Sequence, residues 1–277
     1  MADLETFTAV RYVQPLREGG SLPAVVDTDG GRFVVKFRGA GQGSKALVAE
    51  LIVGMLARTL ELPTPELAII DVPAQFGRSE PDPEIQDLLR GSHGVNVGLR
   101  YLDGAFNFAL QAAPELVTPA FASRVVWLDA FTTNADRTHR NPNLLLWEHR
   151  LWLIDHGAAL YAHHDWDRVD ARRTRSPFPL IREHLLLSLS DDIQGADAEC
   201  ATRLTEKVLA GILRQVPDDL LMDATSGADF PSAGAARDRY VSYLSERLRE
   251  PRAFVAEAIE AREQLLADPQ HRLAARR

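Results

Sequence analysis

The sequence predicts an α+β fold in two lobes, an N-terminal antiparallel sheet with one main helix and a mostly helical C-terminal lobe. Three observations carry that prediction. Short runs rich in Val, Ile and Phe, punctuated by Gly turns, recur as far as Leu102. One strongly apolar helical repeat, from Ser44 to Leu62, interrupts them. Beyond Asp103-Gly104, a turn and natural hinge, the pattern becomes helical apart from a single hairpin. The 277 residues are long for one domain and short for two independent ones, so the lobes divide as 1–103 and 104–277 around a shared cleft.

The first strands are expected at 7–13 and 23–27, with the turn-rich Arg17–Pro23 between them. Gly19-Gly20-Ser21 in that turn reads either as an ordinary hairpin loop or as backbone amides draped over phosphates. Gly30-Gly31 then leads into Arg32–Phe37, where Lys36 points to the opposite sheet face from Val35 and Phe37. A lysine in an apolar strand needs an anionic partner or a route to water. Ser44 is a good N-cap for the helix that follows, in which Leu47, Leu51 and Met55 keep helical period. Glu50 lies in the middle of this helix, either solvated or paired with Lys36.

Further strands are expected at 67–72 and 95–102, flanking a surface excursion over 77–87. If the hinge is at Asp103, backbone groups around Arg100 and Tyr101 face an adenine. Past it, 119–132 reads as a helix, Asn143–Trp147 and Arg150–Asp155 as a hairpin, and 158–180 as an irregular, Arg-rich segment. Amphipathic helices are expected at 181–190, 196–215 and 234–266.

Composition narrows the function classes. A hydrophobic fraction of 45% with 25% charged residues suits a soluble globular protein, and a net charge of -8 argues against coating nucleic acid or an anionic membrane. The lone cysteine, Cys200, excludes an internal disulfide framework. Absence of a basic, apolar leader in Met1–Val10 and of any long apolar run predicts a cytoplasmic protein with no membrane span.

The stretch Asn134–Gly157 carries the chemistry. Asp136 precedes Asn141 by five residues, and the hairpin ends in Asp155-His156-Gly157. An Asp-x-x-x-x-Asn loop followed by a strand ending in Asp-x-Gly is the layout of a phosphoryl-transfer site. Asp136 can orient or deprotonate a hydroxyl, while the hard oxygens of Asn141 and Asp155 suit Mg2+. His163-His164-Asp165 is a poor metal site, because adjacent histidines on an extended chain point apart. Arg168, Arg172, Arg173 and Arg175 form either a solvated basic loop or a surface for an acidic or phosphorylated substrate. Arg137 and His139, beside Asp136, either tune its charge or contact the transferred group.

Taken together, Lys36, Glu50, the hinge, Asp136-x-x-x-x-Asn141 and Asp155-x-Gly157 resemble the protein-kinase-like fold. DRTHRN and LIDHG are closer to the lipid-kinase wording D-R-H-x-x-N and I-D-F-G. The whole chain looks most like the bacterial HipA-like kinases, especially the short form, over residues 5 to 260. The resemblance implies that Asp136 is the catalytic base and that Asn141 and Asp155 ligate Mg2+. It also implies that Lys36 binds the α- and β-phosphates of ATP, that Glu50 steadies Lys36, and that Gly19, Gly20 and Ser21 cover the phosphates. Thr138 stands where those relatives carry His, His156 replaces Phe, and the glycine loop is short.

The expected activity is an ATP- and Mg2+-dependent phosphotransferase acting on a Ser/Thr hydroxyl of a protein substrate. Nucleotidyl (AMP) transfer on the same fold, or a non-catalytic nucleotide-binding module, are the readings left open beside it.

Overall fold

The alternating segments of the N-terminal part close on themselves. Strands β1 (Glu5–Pro15), β2 (Ala24–Thr28), β3 (Gly31–Lys36), β4 (Leu67–Val72) and β5 (Gly94–Arg100) form a barrel in the order β1-β2-β3-β5-β4. This is a computed structural model that describes residues 3–16, 22–78, 80–111, 114–223 and 230–268. Four of the five pairings are antiparallel, as expected; the fifth, Glu5↔Ala68 through Thr8↔Asp71, is parallel. It is parallel because β4 returns only after a helical crossover, which parallel neighbours require. Ala24, Val26, Phe33, Val35, Ala68 and Ile70 belong to one buried cluster of the barrel. A Cβ on Gly98 would come within 2.6 Å of Ile70 Cγ1 and 3.2 Å of a Phe33 ring carbon, so only glycine fits there.

Helix α1 (Gly43–Thr59) is buried on nearly every side, as a helix apolar all round must be. Leu67, Ile69, Val97 and Leu99 of the barrel share its cluster. Gly54 allows the close approach to β4, since a Cβ there would sit 2.7 Å from Leu67 Cδ1. Ser44 does not cap the helix; Gln42 occupies the cap position without a side-chain bond, and Ser44 is buried in the first turn.

The excursion after β4 contains a helix, α2 (Pro83–Arg90), whose first turn is capped by Asp82 accepting from Glu84 N–H. After the short β6 (Phe106–Asn107) comes α3 (Pro119–Thr132), capped by Thr118 and ended by Thr133 in a left-handed conformation, φ +55°. β7 (Leu144–Trp147) and β8 (Arg150–Leu153) pair as the expected hairpin, with β6 added at the edge.

The rest is helical: α4 (Ala171–Thr174), α5 (Ile193–Arg203), α6 (Glu206–Arg214), α7 (Asp218–Leu221), α8 (Ala233–Leu248) and α9 (Ala253–Ala267). Three expected helices are divided or absent. Thr205 caps α6 and so splits 196–215, while Pro251, lacking an N–H, separates α8 from α9. Residues 181–190 form 3-10 turns instead of a helix, because Leu185 N–H bonds Arg137 O and Leu186 N–H bonds His184 Nδ1. Where α3 meets α9, Trp127 stacks on Phe131, and Phe254 packs edge-on to Trp127 and tilted against Phe131. Among the described residues no helix is long and apolar enough to cross a membrane.

Candidate active site

Register puts Lys36 opposite Val97 on β5, so its side chain leaves the barrel on the face that meets α1. There its Nζ donates to Glu50 Oε2 at 2.7 Å and to Asp155 Oδ1 at 2.5 Å. Glu50 is fully buried and also accepts from the backbone N–H of His156 at 2.7 Å. One carboxylate therefore ties strand, helix and Asp-x-Gly turn together. Burial alone would lower the Lys36 pKa, but Glu50 and Asp155 hold it above its ordinary value. Burial likewise pushes the Asp155 carboxyl up, and the neighbouring ammonium more than reverses that. Asp155 has φ +56°, a left-handed conformation that few non-glycine residues adopt and that aspartate tolerates better than most.

The Asn134 loop starts where α3 ends, with Asn134 N–H bonded to Asp129 O. Asn141 Nδ2 donates to Asp136 Oδ2 at 2.7 Å, and Asn143 Nδ2 to the same oxygen at 3.2 Å. An amide that donates through nitrogen leaves its own carbonyl oxygen available. Ile154 N–H bonds Asn143 O at 3.1 Å, which brings the loop against the residue preceding Asp155.

Beneath the loop lies a buried network. Arg137 and Asp129, both without side-chain exposure, pair at 2.7 Å. Arg137 also donates to the carbonyls of Asn143 and Ile154, closing the loop onto the hairpin. Asp129 further accepts from Asn134 Nδ2 at 3.0 Å and from His184 Nε2 at 2.9 Å. Since Leu186 N–H donates to His184 Nδ1, the ring proton sits on Nε2 and the imidazole is neutral. Burial would raise the Asp129 pKa, yet Arg137 and His184 hold it far below the carboxylate range. Burial pushes His156 down to about 4, so it too is neutral. Arg137 is thus a structural pin, whereas His139 is exposed. The available signal for this network was a charged residue, Asp129, inside an apolar helix.

Other residues singled out in the sequence lie elsewhere. Arg100 turns its guanidinium over the Phe33 ring, 4.2 Å from the centroid, and bonds Glu66 and Gly30 O, capping the barrel end. Tyr101 N–H bonds Arg32 O. A cavity of about 390 Å³ opens beside both residues, and Lys36, Glu50, Asp136, Asn141 and Asp155 do not line it. Gly19, Gly20 and Ser21 lie outside the described residues. His163 is buried, with Nδ1 3.0 Å from Tyr240 Oη. In the basic segment Arg168 pairs with Asp165 and Arg175 with Glu246.

Among the described residues no group of three or more His, Cys, Asp or Glu side chains could hold a metal. Asn141 and Asp155 offer hard oxygens of the kind magnesium takes in ones and twos, with phosphate oxygens and water completing its shell. The donor set fits such an ion: Asp155 Oδ1 is engaged by Lys36 while its side chain stays 38% exposed.

Among curated proteins no match is found. A solved structure similar to this chain is the Helicobacter pylori proinflammatory kinase CtkA. The two share 11% sequence identity over 96% of this chain and 100% of that one, with a TM-score of 0.58, a likeness in fold. The HipA-like kinase family matches residues 11–174. That span is more than half of the chain and contains Lys36, Glu50, Asp136, Asn141 and Asp155, and the protein belongs to the HipA-like kinase family.

Proposed function

We propose that this kinase is an ATP- and magnesium-dependent phosphotransferase whose acceptor is a Ser/Thr hydroxyl on a protein. The observation that carries the reading is the contact of one ammonium, Lys36, with both the helix carboxylate Glu50 and the Asp-x-Gly carboxylate Asp155. We read 1–103 and 104–277 as two lobes, with the nucleotide between them and its adenine against the backbone of Arg100 and Tyr101.

Bound Mg-ATP supplies the transferable phosphoryl group and neutralises charge on its oxygens. Lys36 has three N–H donors; two are taken, which leaves the third for a phosphate oxygen. Glu50 keeps the ammonium in place, and Asn141 and Asp155 present ligand oxygens from the loop and the hairpin. Asp136 has one oxygen fixed by two side-chain amides, so its other oxygen orients the acceptor hydroxyl and takes its proton. Phosphoryl transfer requires placement and charge compensation more than covalent participation, and these residues supply both.

Asp136→Asn and Asp155→Asn should each remove ATP-dependent transfer, by about a hundredfold or more, while circular dichroism and melting stay native-like. Mass spectrometry of the acceptor should show added phosphate. Addition of AMP would replace this reading with nucleotidyl transfer, and undiminished turnover in both variants would end it.

A further inference from the structure

Arg38 lies two residues beyond Lys36, where β3 gives way to the loop before α1. Its backbone N–H is fixed by Asn96 Oδ1 at 2.9 Å, and its guanidinium crosses to Asp223 Oδ2 at 3.0 Å. Asp223 follows α7, 185 positions along the chain, and its side chain is only 5% exposed. A second tie runs the same way, from Leu4 N–H to Gln215 Oε1 just after α6. Helix α1 itself packs against α6 and α7 as well as against the barrel. The segment that bears both Lys36 and Glu50 is therefore gripped from the far side by the C-terminal helices.

We propose that the Arg38–Asp223 ion pair is a latch that sets where Lys36 and Glu50 stand relative to Asp155. Arg38 and Asp223 are then positioning residues, and the proposal rests on the reading of Lys36 as the nucleotide-binding lysine. The physical ground is the shared backbone. Lys36 has to meet Asp155, which belongs to the hairpin beyond α3, so any tilt of the β3–α1 connection away from the C-terminal helices separates them. A screened surface pair would not resist that motion, but a pair with a nearly buried carboxylate does. Glu50 reports the same register, because its Oε2 is shared between Lys36 and His156 N–H.

The test uses the full chain carrying Arg38→Ala, Asp223→Ala, the milder Asp223→Asn, and the exchanged pair Arg38→Asp with Asp223→Arg. Hydrogen exchange across residues 37–59 and steady-state kinetics with Mg-ATP are measured on each. The latch predicts exchange in α1 about tenfold faster in the single variants, a rise of about tenfold in KM for ATP, and recovery of both in the exchanged pair. Should either alanine variant fail to fold, Asp223→Asn carries the comparison, with a smaller change in the same direction. Unaltered exchange and KM in the folded single variants, or an exchanged pair that folds without regaining either, overturns the latch. A wild-type chain that binds no nucleotide would sink the functional reading alone, since the exchange arm still decides whether the pair holds α1.

Discussion

The ammonium of Lys36 stands 2.5 Å from a carboxylate oxygen of Asp155, joining residues 119 positions apart in the chain. Strand β3 supplies one partner and the end of the β7–β8 hairpin the other, so the contact is a direct measure of how the barrel sits on the helical part. Glu50 completes it from a third element, with no exposure to solvent. Lys36 is charged because two carboxylates more than offset the cost of its burial.

Glu50→Gln keeps the shape of the side chain and removes its charge. Lys36 then retains only Asp155 as an anionic partner, and in the proposed mechanism a metal ion would compete for that same carboxylate. KM for Mg-ATP should rise by roughly tenfold, with circular dichroism unchanged. A KM equal to that of the parent protein would take Glu50 out of the proposed nucleotide site.

Asp129 and Asp136 differ by only seven positions and should behave oppositely. Asp129→Ala leaves the Arg137 guanidinium buried without its carboxylate, a loss of roughly 3–5 kcal/mol in urea unfolding. Asp136→Asn alters a carboxylate at the edge of the loop and should change stability by about 0.5 kcal/mol or less. Equal stability losses for the two would contradict the division between structural pin and chemical group.

Burial holds His163 well below its ordinary pKa of 6.5, assisted by the charges of His164 and Lys45. The unfolded chain binds a proton as pH falls through about 6.5, while the folded chain does not until far lower. Stability is complete above that value and should decline by about 1.4 kcal/mol per pH unit below it for this one group. His184 and His156 shift in the same direction and steepen the slope. Urea midpoints at several pH values should therefore fall on acidification, and His163→Phe should flatten the decline by one proton's worth. An identical slope in the variant would show that His163 is not held neutral.

Much of the fold could be read locally. β4 at Leu67–Val72 and α3 at Pro119–Thr132 fall on the spans that periodicity, Thr118 and Pro119 indicate. Asp82-Pro83 signals the helix after β4 just as plainly, although the Pro- and Asp-rich composition around it predicts a loop. Residues 181–190 depart from the predicted helix for a different reason. Their period is amphipathic, but their backbone donors are spent on Arg137 O and His184 Nδ1, and no local pattern reveals such partners. The same limit hid Arg137, whose sequence neighbours Asp136 and Thr138 give no sign that it is buried beneath the loop while His139 is not.

Residue order alone determined that a strand lysine, a helical glutamate, an Asp-x-x-x-x-Asn loop and an Asp-x-Gly turn occur in one chain, because each depends on side chains a few positions apart. Tertiary structure alone decided that Glu50 is buried, that it serves Lys36 and His156 together, and that Asp129 anchors the loop through Arg137. The physical reason is that burial and charge pairing depend on what packs opposite a residue. Here the opposing groups lie up to 106 positions away, beyond the reach of any periodicity.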